Sequence, residues 1–248
     1  MNLTLLTFSP TGQSKACALA VAKATKQEFA LFDVTHFIQR RKSLSVEDTT
    51  LIIAIPVYGG RVPLLFAEYV KNQLTAHNCD AIVIATFGNR AVEDALVEME
   101  DLLSAKGIPL TAAASIGCQH SYSDRVGQKR PDIEDFQLLD RLAVHLNGKR
   151  TIVHPPGNRP YRQAMPRANP PYMPALAASS ETISNRQCYR VCPTGALAKQ
   201  DPTLCIHCCA CIQISNHELI MDNPWFVNFT KNLEATCQKR IESILYLS

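Results

Sequence analysis

Two apolar rhythms alternate along the first 150 residues. Short runs that are apolar at nearly every position, at 2–8, 28–34, 51–57, 80–87 and 108–117, have the length of strands. Stretches with helical spacing separate them, at 12–27, 63–74, 91–106 and 133–146, and a shorter polar helix is expected at 35–43. Pro63 suits a first helical turn, and Gly107 suits a helix end. Strands apolar on both faces belong to a parallel sheet covered on both sides. Right-handed crossovers wind such a sheet doubly, and its ligand site then lies beyond the C-terminal ends of the strands. The pattern predicts an α/β fold with five parallel strands over residues 1–150.

The rest of the chain follows other rules. Seven of the fifteen prolines fall between Pro155 and Pro174, which rules out a helix or a central strand there. Residues 151–180 therefore read as an extended connector. Six of the ten cysteines lie between Cys188 and Cys211, making 181–222 a small cysteine-rich unit. Cys17, Cys79, Cys118 and Cys237 are scattered on apolar patterns and read as small buried hydrophobes. In residues 223–248, Phe226, Phe229, Leu233, Cys237, Ile241 and Ile244 recur at helical spacing after Asn223-Pro224. One C-terminal helix packing back on the first unit is expected.

Composition narrows the function. With 46% hydrophobic and 19% charged residues, the chain can build a core and is not disordered. A net charge of +3, whose only tight basic run is Arg40-Arg41-Lys42, argues against nucleic acid; that run reads as a solvated helix end. No apolar stretch approaches the roughly 20 residues of a membrane span. Residues 1–6 lack a charged leader and a cleavage site, so a cytoplasmic address is expected. In that compartment, clustered cysteines argue for metal rather than disulfides.

Three loops follow predicted strands. Ser9-Pro10-Thr11-Gly12-Gln13-Ser14 opens the first helix, where small residues let backbone N–H groups converge on a phosphate. It is neither a P-loop nor a dinucleotide fingerprint. Pro56-Val57-Tyr58-Gly59-Gly60 offers a flat aromatic face beside two glycines. Thr86-Phe87-Gly88-Asn89 repeats the pairing of glycine with an aromatic. Each loop alone reads equally well as a tight turn; three at the same sheet edge favour a cofactor site. His120-Ser121-Tyr122-Ser123 could border the same crevice, although a lone histidine there is more often structural.

The arrangement resembles the flavodoxin family over residues 1–148. That resemblance implies that the first loop holds the phosphate of FMN and the other two embrace its ring. Ser14 keeps the hydroxyl that ends the family's phosphate motif in threonine.

The cysteine spacing admits a count. Bacterial two-cluster ferredoxins carry C-x₂-C-x₂-C-x₃-C-P twice, the fourth cysteine of each run serving the other cluster. Here Cys205, Cys208 and Cys211 start one run, and Ser215 stands at its fourth position. Aligning the other run on Cys192-Pro193 puts Thr182, Asn185 and Cys188 in its first three positions. Crossed ligation gathers Thr182, Asn185, Cys188 and Ser215 at one site and Cys192, Cys205, Cys208 and Cys211 at the other. Random loss of three ligands confines the damage to one site only about one time in seven. One [4Fe–4S] cluster on Cys192, Cys205, Cys208 and Cys211 is expected, with Cys188 and Cys209 as spares. A structural zinc is the competing reading, although zinc usually draws paired ligands from two knuckles.

The whole chain resembles flavodoxin–ferredoxin fusion proteins, the EFR-type ferredoxins, through the Ser9–Gly12, Pro56–Pro63 and Gly88–Arg90 blocks. It departs from them in the depleted ferredoxin half and in Asn216, where proline usually follows the last cysteine. The resemblance implies an electron-transfer protein with FMN and one [4Fe–4S] cluster, working with a redox partner protein. The alternative is an iron–sulfur sensor or a zinc-stapled interaction module on a flavin-free scaffold. No motif for hydrolysis is present, and no substrate is named.

Overall fold

The computed structural model describes residues 2–165, 168–216 and 218–247. In chain order, β1 (Asn2–Thr7), α1 (Gln13–Ala24), β2 (Phe29–Asp33), β3 (Leu44–Glu47), β4 (Thr49–Pro56), α2 (Leu64–Gln73), β5 (Leu74–His77), β6 (Asp80–Phe87), α3 (Ala95–Ser104), β7 (Leu110–Gly117) and α4 (Ile133–Leu146) make the first unit. Then come β8 (Ala175–Leu176), α5 (Gln187–Val191), α6 (Ala196–Lys199), α7 (Ala210–Gln213), β9 (Leu219–Ile220), α8 (Pro224–Thr236) and β10 (Ile244–Tyr246).

The main sheet runs β10-β7-β6-β4-β1-β2, and all neighbours are parallel except the β10–β7 pair. Its five parallel strands taken in sequence stand in the order 2-1-3-4-5, the flavodoxin-like doubly wound order. Alternation along the strands divides the core in two. Leu5, Ile52, Ile84 and Ala114 face α1 and α4; Leu6, Ile53, Val83 and Ala113 face α2 and α3. Alanines and Cys17 on α1 let that helix lie close to the sheet and to α4.

The structure corrects two sequence expectations. Residues 35–43 hold only a single 3₁₀ turn at Gln39–Arg41, not a helix. After it β3 pairs in parallel with β5, a small second sheet that no periodicity announced. The C-terminal helix stops at Thr236, and β10 joins the main sheet antiparallel to β7, with Leu245 opposite Ala114. The reason is tertiary: the β7 edge would otherwise leave its backbone groups unpaired. Leu245 packs towards α1 and α4, and Tyr246 towards α2 and α3. Ile241 and Ile244, which continued the helical period, are exposed.

The proline-rich connector is extended and tied down, except that residues 166 and 167 lie outside the described residues. Asp94 accepts from the N–H groups of Asn158 and Arg162, at 2.8 and 2.7 Å. Arg159 and Tyr161 bond Asp101. The acidic face of α3 thus carries the chain towards the cysteine-rich unit, where β8 and β9 pair antiparallel. Among the described residues, no helix is long and apolar enough to cross a membrane.

Candidate functional site

Cys192 directly follows α5, and Cys205 closes the 3₁₀ turn capped by Asp201. Cys208 lies in the loop beyond, and Cys211 in α7. Within that loop His207 and Cys209 adopt left-handed conformations, φ 52° and 60°, which curl the chain back on itself. The four sulfur-bearing residues line one pocket, partly open to solvent and walled by Ile206, Met221 and Pro174. Burial, then the charge of Cys192, pushes the Cys205 thiol up to about 11; burial, then Cys192 and Cys205, pushes Cys211 up to about 12. Among the described residues, no three His, Cys, Asp or Glu side chains converge tightly enough to hold a single metal ion. Cys192, Cys205, Cys208 and Cys211 are four soft donors that line the same pocket.

The other four positions of the pattern are knitted into the protein. Asn185 donates to the Ile214 carbonyl at 2.7 Å, and Ser215 donates to the Ile212 carbonyl at 2.8 Å. Ser215 also accepts from the Leu219 N–H. Cys188 is fully buried with Leu219 and Leu197, and Thr182 is exposed. Cys209, expected to be a spare, is buried against Met221 and Phe226 and also borders the cysteine cavity.

The strand-end loops meet this unit. Ile206 packs on the same core as Val57 and Tyr58. Burial, then Cys208, Tyr122 and Cys209, raises the Tyr58 hydroxyl well above its ordinary value, so the cysteine loop stands beside the tyrosine.

In the first loop, Ser9 accepts from the Lys15 N–H at 3.0 Å, and Ser14 and Thr86 share a buried hydroxyl bond of 2.6 Å. These two serines shape the loop and do not face outward. Thr11, Gly12 and Gln13 remain at the rim, with Gly12 left-handed at φ 85° and open space where a side chain would project. The first turn of the twelve-residue α1 begins at this rim.

The other two loops are more crowded. A Cβ on Gly59 would stand 2.7 Å from Met165 Cγ, and one on Gly60 would collide with Glu93 and Arg162. Gly88 makes room for His120, 2.5 Å from such a Cβ. Phe87 is core, and Pro56 is half-buried at the end of β4. Asn89 is spoken for: its amide donates to the carbonyls of Cys237 and Lys239 and accepts from Arg130 and the Ile241 N–H. The loops thus leave Thr11, Gly12 and Gln13 at the rim and Tyr58 half-buried, while three glycines admit the chain's own side chains.

Several residues at the site escaped the sequence reading. Arg40 does not end a solvated helix: it donates to the Val34 and Thr35 carbonyls and, at 2.8 Å, to that of Pro193 beside Cys192. Arg130 is buried on Asp135 and reaches Asn89, Ser243 and the Ile241 carbonyl. The only signal was Asp132-x-x-Asp135 after Arg130, a capping box in the structure. Tyr122 packs 4.5 Å from Phe226 and seats α8 over the crevice.

No protein-family model matches the chain, and no curated protein matches it. Among solved structures, Flavodoxin 2 from Bacillus cereus aligns with 58% of this chain and 96% of its own, at 14% identity and a TM-score of 0.43. A flavodoxin from the domain Archaea covers the same 58%, with 94% of its own length, 12% identity and a TM-score of 0.39. Rubredoxin oxygen:oxidoreductase from the anaerobe Desulfovibrio gigas aligns with 58% of this chain at 11% identity and a TM-score of 0.39, and the match spans 34% of that protein. The fold assignment rests on the strand order.

Proposed function

We propose that the chain is an electron-transfer protein with one [4Fe–4S] cluster on Cys192, Cys205, Cys208 and Cys211 and FMN at the strand ends, serving a redox partner protein. The observation that carries this reading is the pocket lined by those four cysteines and set beside Tyr58. A cubane needs thiolates around a volume, whereas a structural zinc needs them at a point. Buried thiols whose protons are held this firmly ionise when iron supplies the compensating charge.

When bound, FMN takes up one or two electrons and the cluster passes them singly. The protein's share is placement. The rim of Thr11, Gly12 and Gln13 offers N–H groups to a phosphate, and Tyr58 offers a wall to a planar ring. Ile206 and Met221 help wall the cysteine cavity, and an apolar shell of this kind tunes a cluster's potential.

A second reading has its own observation. Met165, Arg162, Glu93 and His120 crowd Gly59, Gly60 and Gly88, where the ring of FMN would lie. That crowding favours a flavin-free scaffold carrying a single cluster, as a sensor or simple carrier. The absorption spectrum of anaerobically purified protein, before and after dithionite, separates the two. Flavin bands over a broad iron–sulfur shoulder, both bleaching, are expected. The shoulder alone supports the second reading. A colourless protein after cluster reconstitution overturns both and leaves zinc.

A further inference from the structure

The cysteine-rich unit and the first unit meet at a charged seam that neither cofactor uses. Phe37, just after β2, lies under Gly195: a Cβ on that glycine would stand 3.1 Å from the ring. Two exposed cations sit over the same ring, the Arg41 guanidinium and the Lys199 ammonium, each 5.6 Å from its centre. Gly195 is one residue beyond Thr194, whose hydroxyl lies 3.7 Å from the Cys192 sulfur. A short run of contacts therefore leads from a pair of cations to one ligand of the cysteine cavity.

The seam is held in place. Arg40 bonds the Pro193 carbonyl across it, and its guanidinium also covers the Phe8 ring. Lys42 follows Arg41 and is exposed as well. Of the acids near this seam, Asp201 turns its carboxylate onto the Thr203 N–H and hydroxyl, at 2.9 and 2.6 Å, and stands within electrostatic reach of Lys199 without an ion pair to it. Glu68 acts on the half-buried Arg40. Arg41 and Lys199 so present positive charge next to the place where the cavity comes nearest the seam. Two cations on an aromatic are held with less conformational freedom than free surface lysines.

We propose that Arg41 and Lys199 form the docking face for an acidic one-electron carrier protein, which exchanges its electron at the Cys192 edge of the cluster. The proposal rests on the cluster reading above. The spot is too small for a nucleic-acid track, which would need a basic stripe, and the chain's net charge is only +3. Opposite charge steers such a carrier to the right edge and raises the encounter rate, an effect that salt removes. The step itself is simple. One electron leaves the carrier, which is oxidised, and enters the cluster, which is reduced; no bond or proton moves.

The test uses the full reconstituted chain and an acidic two-cluster bacterial ferredoxin as the probe. Titration calorimetry at low ionic strength reads binding, and stopped-flow absorbance reads reduction of the cluster by the reduced ferredoxin. In Arg41→Glu/Lys199→Glu, binding and the second-order rate are expected to fall by about tenfold or more, with the salt dependence flattened. Reduction by methyl viologen radical, which needs no docking face, should stay within about twofold of the parent and shows the variant is folded. Binding and rates unchanged in the variant, with the cluster spectrum in place, overturn the docking face alone. A parent chain in which no cluster assembles overturns the docking face together with the cluster reading. Tighter binding of a short single-stranded DNA through the same two residues overturns the assignment in favour of a polyanion face.

Discussion

His120 shows what burial does to a single side chain here. Its ring packs against Gly88 and accepts from the Tyr122 N–H at 3.1 Å. Burial first, and the charge of Arg90 second, lower its pKa to about 4. An unfolded histidine binds its proton near 6.5. Between that value and about 4 the unfolded chain binds more protons, so this residue's contribution to stability is lost as pH falls through the window. Thermal melts at pH 7 and pH 5 should show a smaller acid-induced drop for His120→Gln than for the parent. Gly117 poses a steric case, since a side chain there would run into the Arg130 guanidinium, itself 4% exposed and paired with the fully buried Asp135. Gly117→Ala should cost about 3–5 kcal/mol, the range for breaking a buried ion pair. Gly12→Ala meets only open space and should cost about 1–2 kcal/mol for its left-handed backbone. Denaturant titration of the two variants orders them.

At the scale of elements, the last strand is the instructive one. A helical period runs through Cys237, Ile241 and Ile244, yet the chain leaves the helix at Thr236. What captures it is a constellation distant in sequence: Asn89, Arg130 and Ser243, whose hydroxyl bonds the Gly117 N–H at 2.9 Å and Asp135 at 2.5 Å. Periodicity reports what a segment can bury, and this segment buries alternate residues against a sheet edge instead. The parallel strands and their long helices were legible because each buries a repeating face over two or more turns. The pairing of β3 with β5 and the 3₁₀ turn at Gln39–Arg41 were not, since pieces of three or four residues carry too little pattern to register. Asn89→Ala should leave the part-buried bonds to the Cys237 and Lys239 carbonyls unmade and the buried Arg130 short of an acceptor, at about 1–3 kcal/mol. Limited proteolysis should then cut between residues 237 and 246 in the variant before the parent is touched.

On the scale of the whole molecule, the two units are joined by the acidic face of α3, by Arg40 and by the aromatic contact of Tyr122 with Phe226. Spacing alone singled out Cys192, Cys205, Cys208 and Cys211, and the structure lines one pocket with these four, because spacing within such a loop is a local property. The strand-end loops were less so. Their glycines were read as room for a ligand, and the structure fills much of that room with residues from the connector, such as Met165 and Arg162, that no local pattern links to them. Asn89 belongs to the C-terminal latch for the same reason. The account's central claim is that four cysteines hold one cluster and that Cys188 stands outside it. The direct measurement is iron and acid-labile sulfide per chain after anaerobic reconstitution, in the parent, Cys205→Ser and Cys188→Ser. About four of each are expected in the parent and in Cys188→Ser, with loss of most of both in Cys205→Ser. Equal loss in the two variants, or zinc in place of iron in the parent, would contradict it.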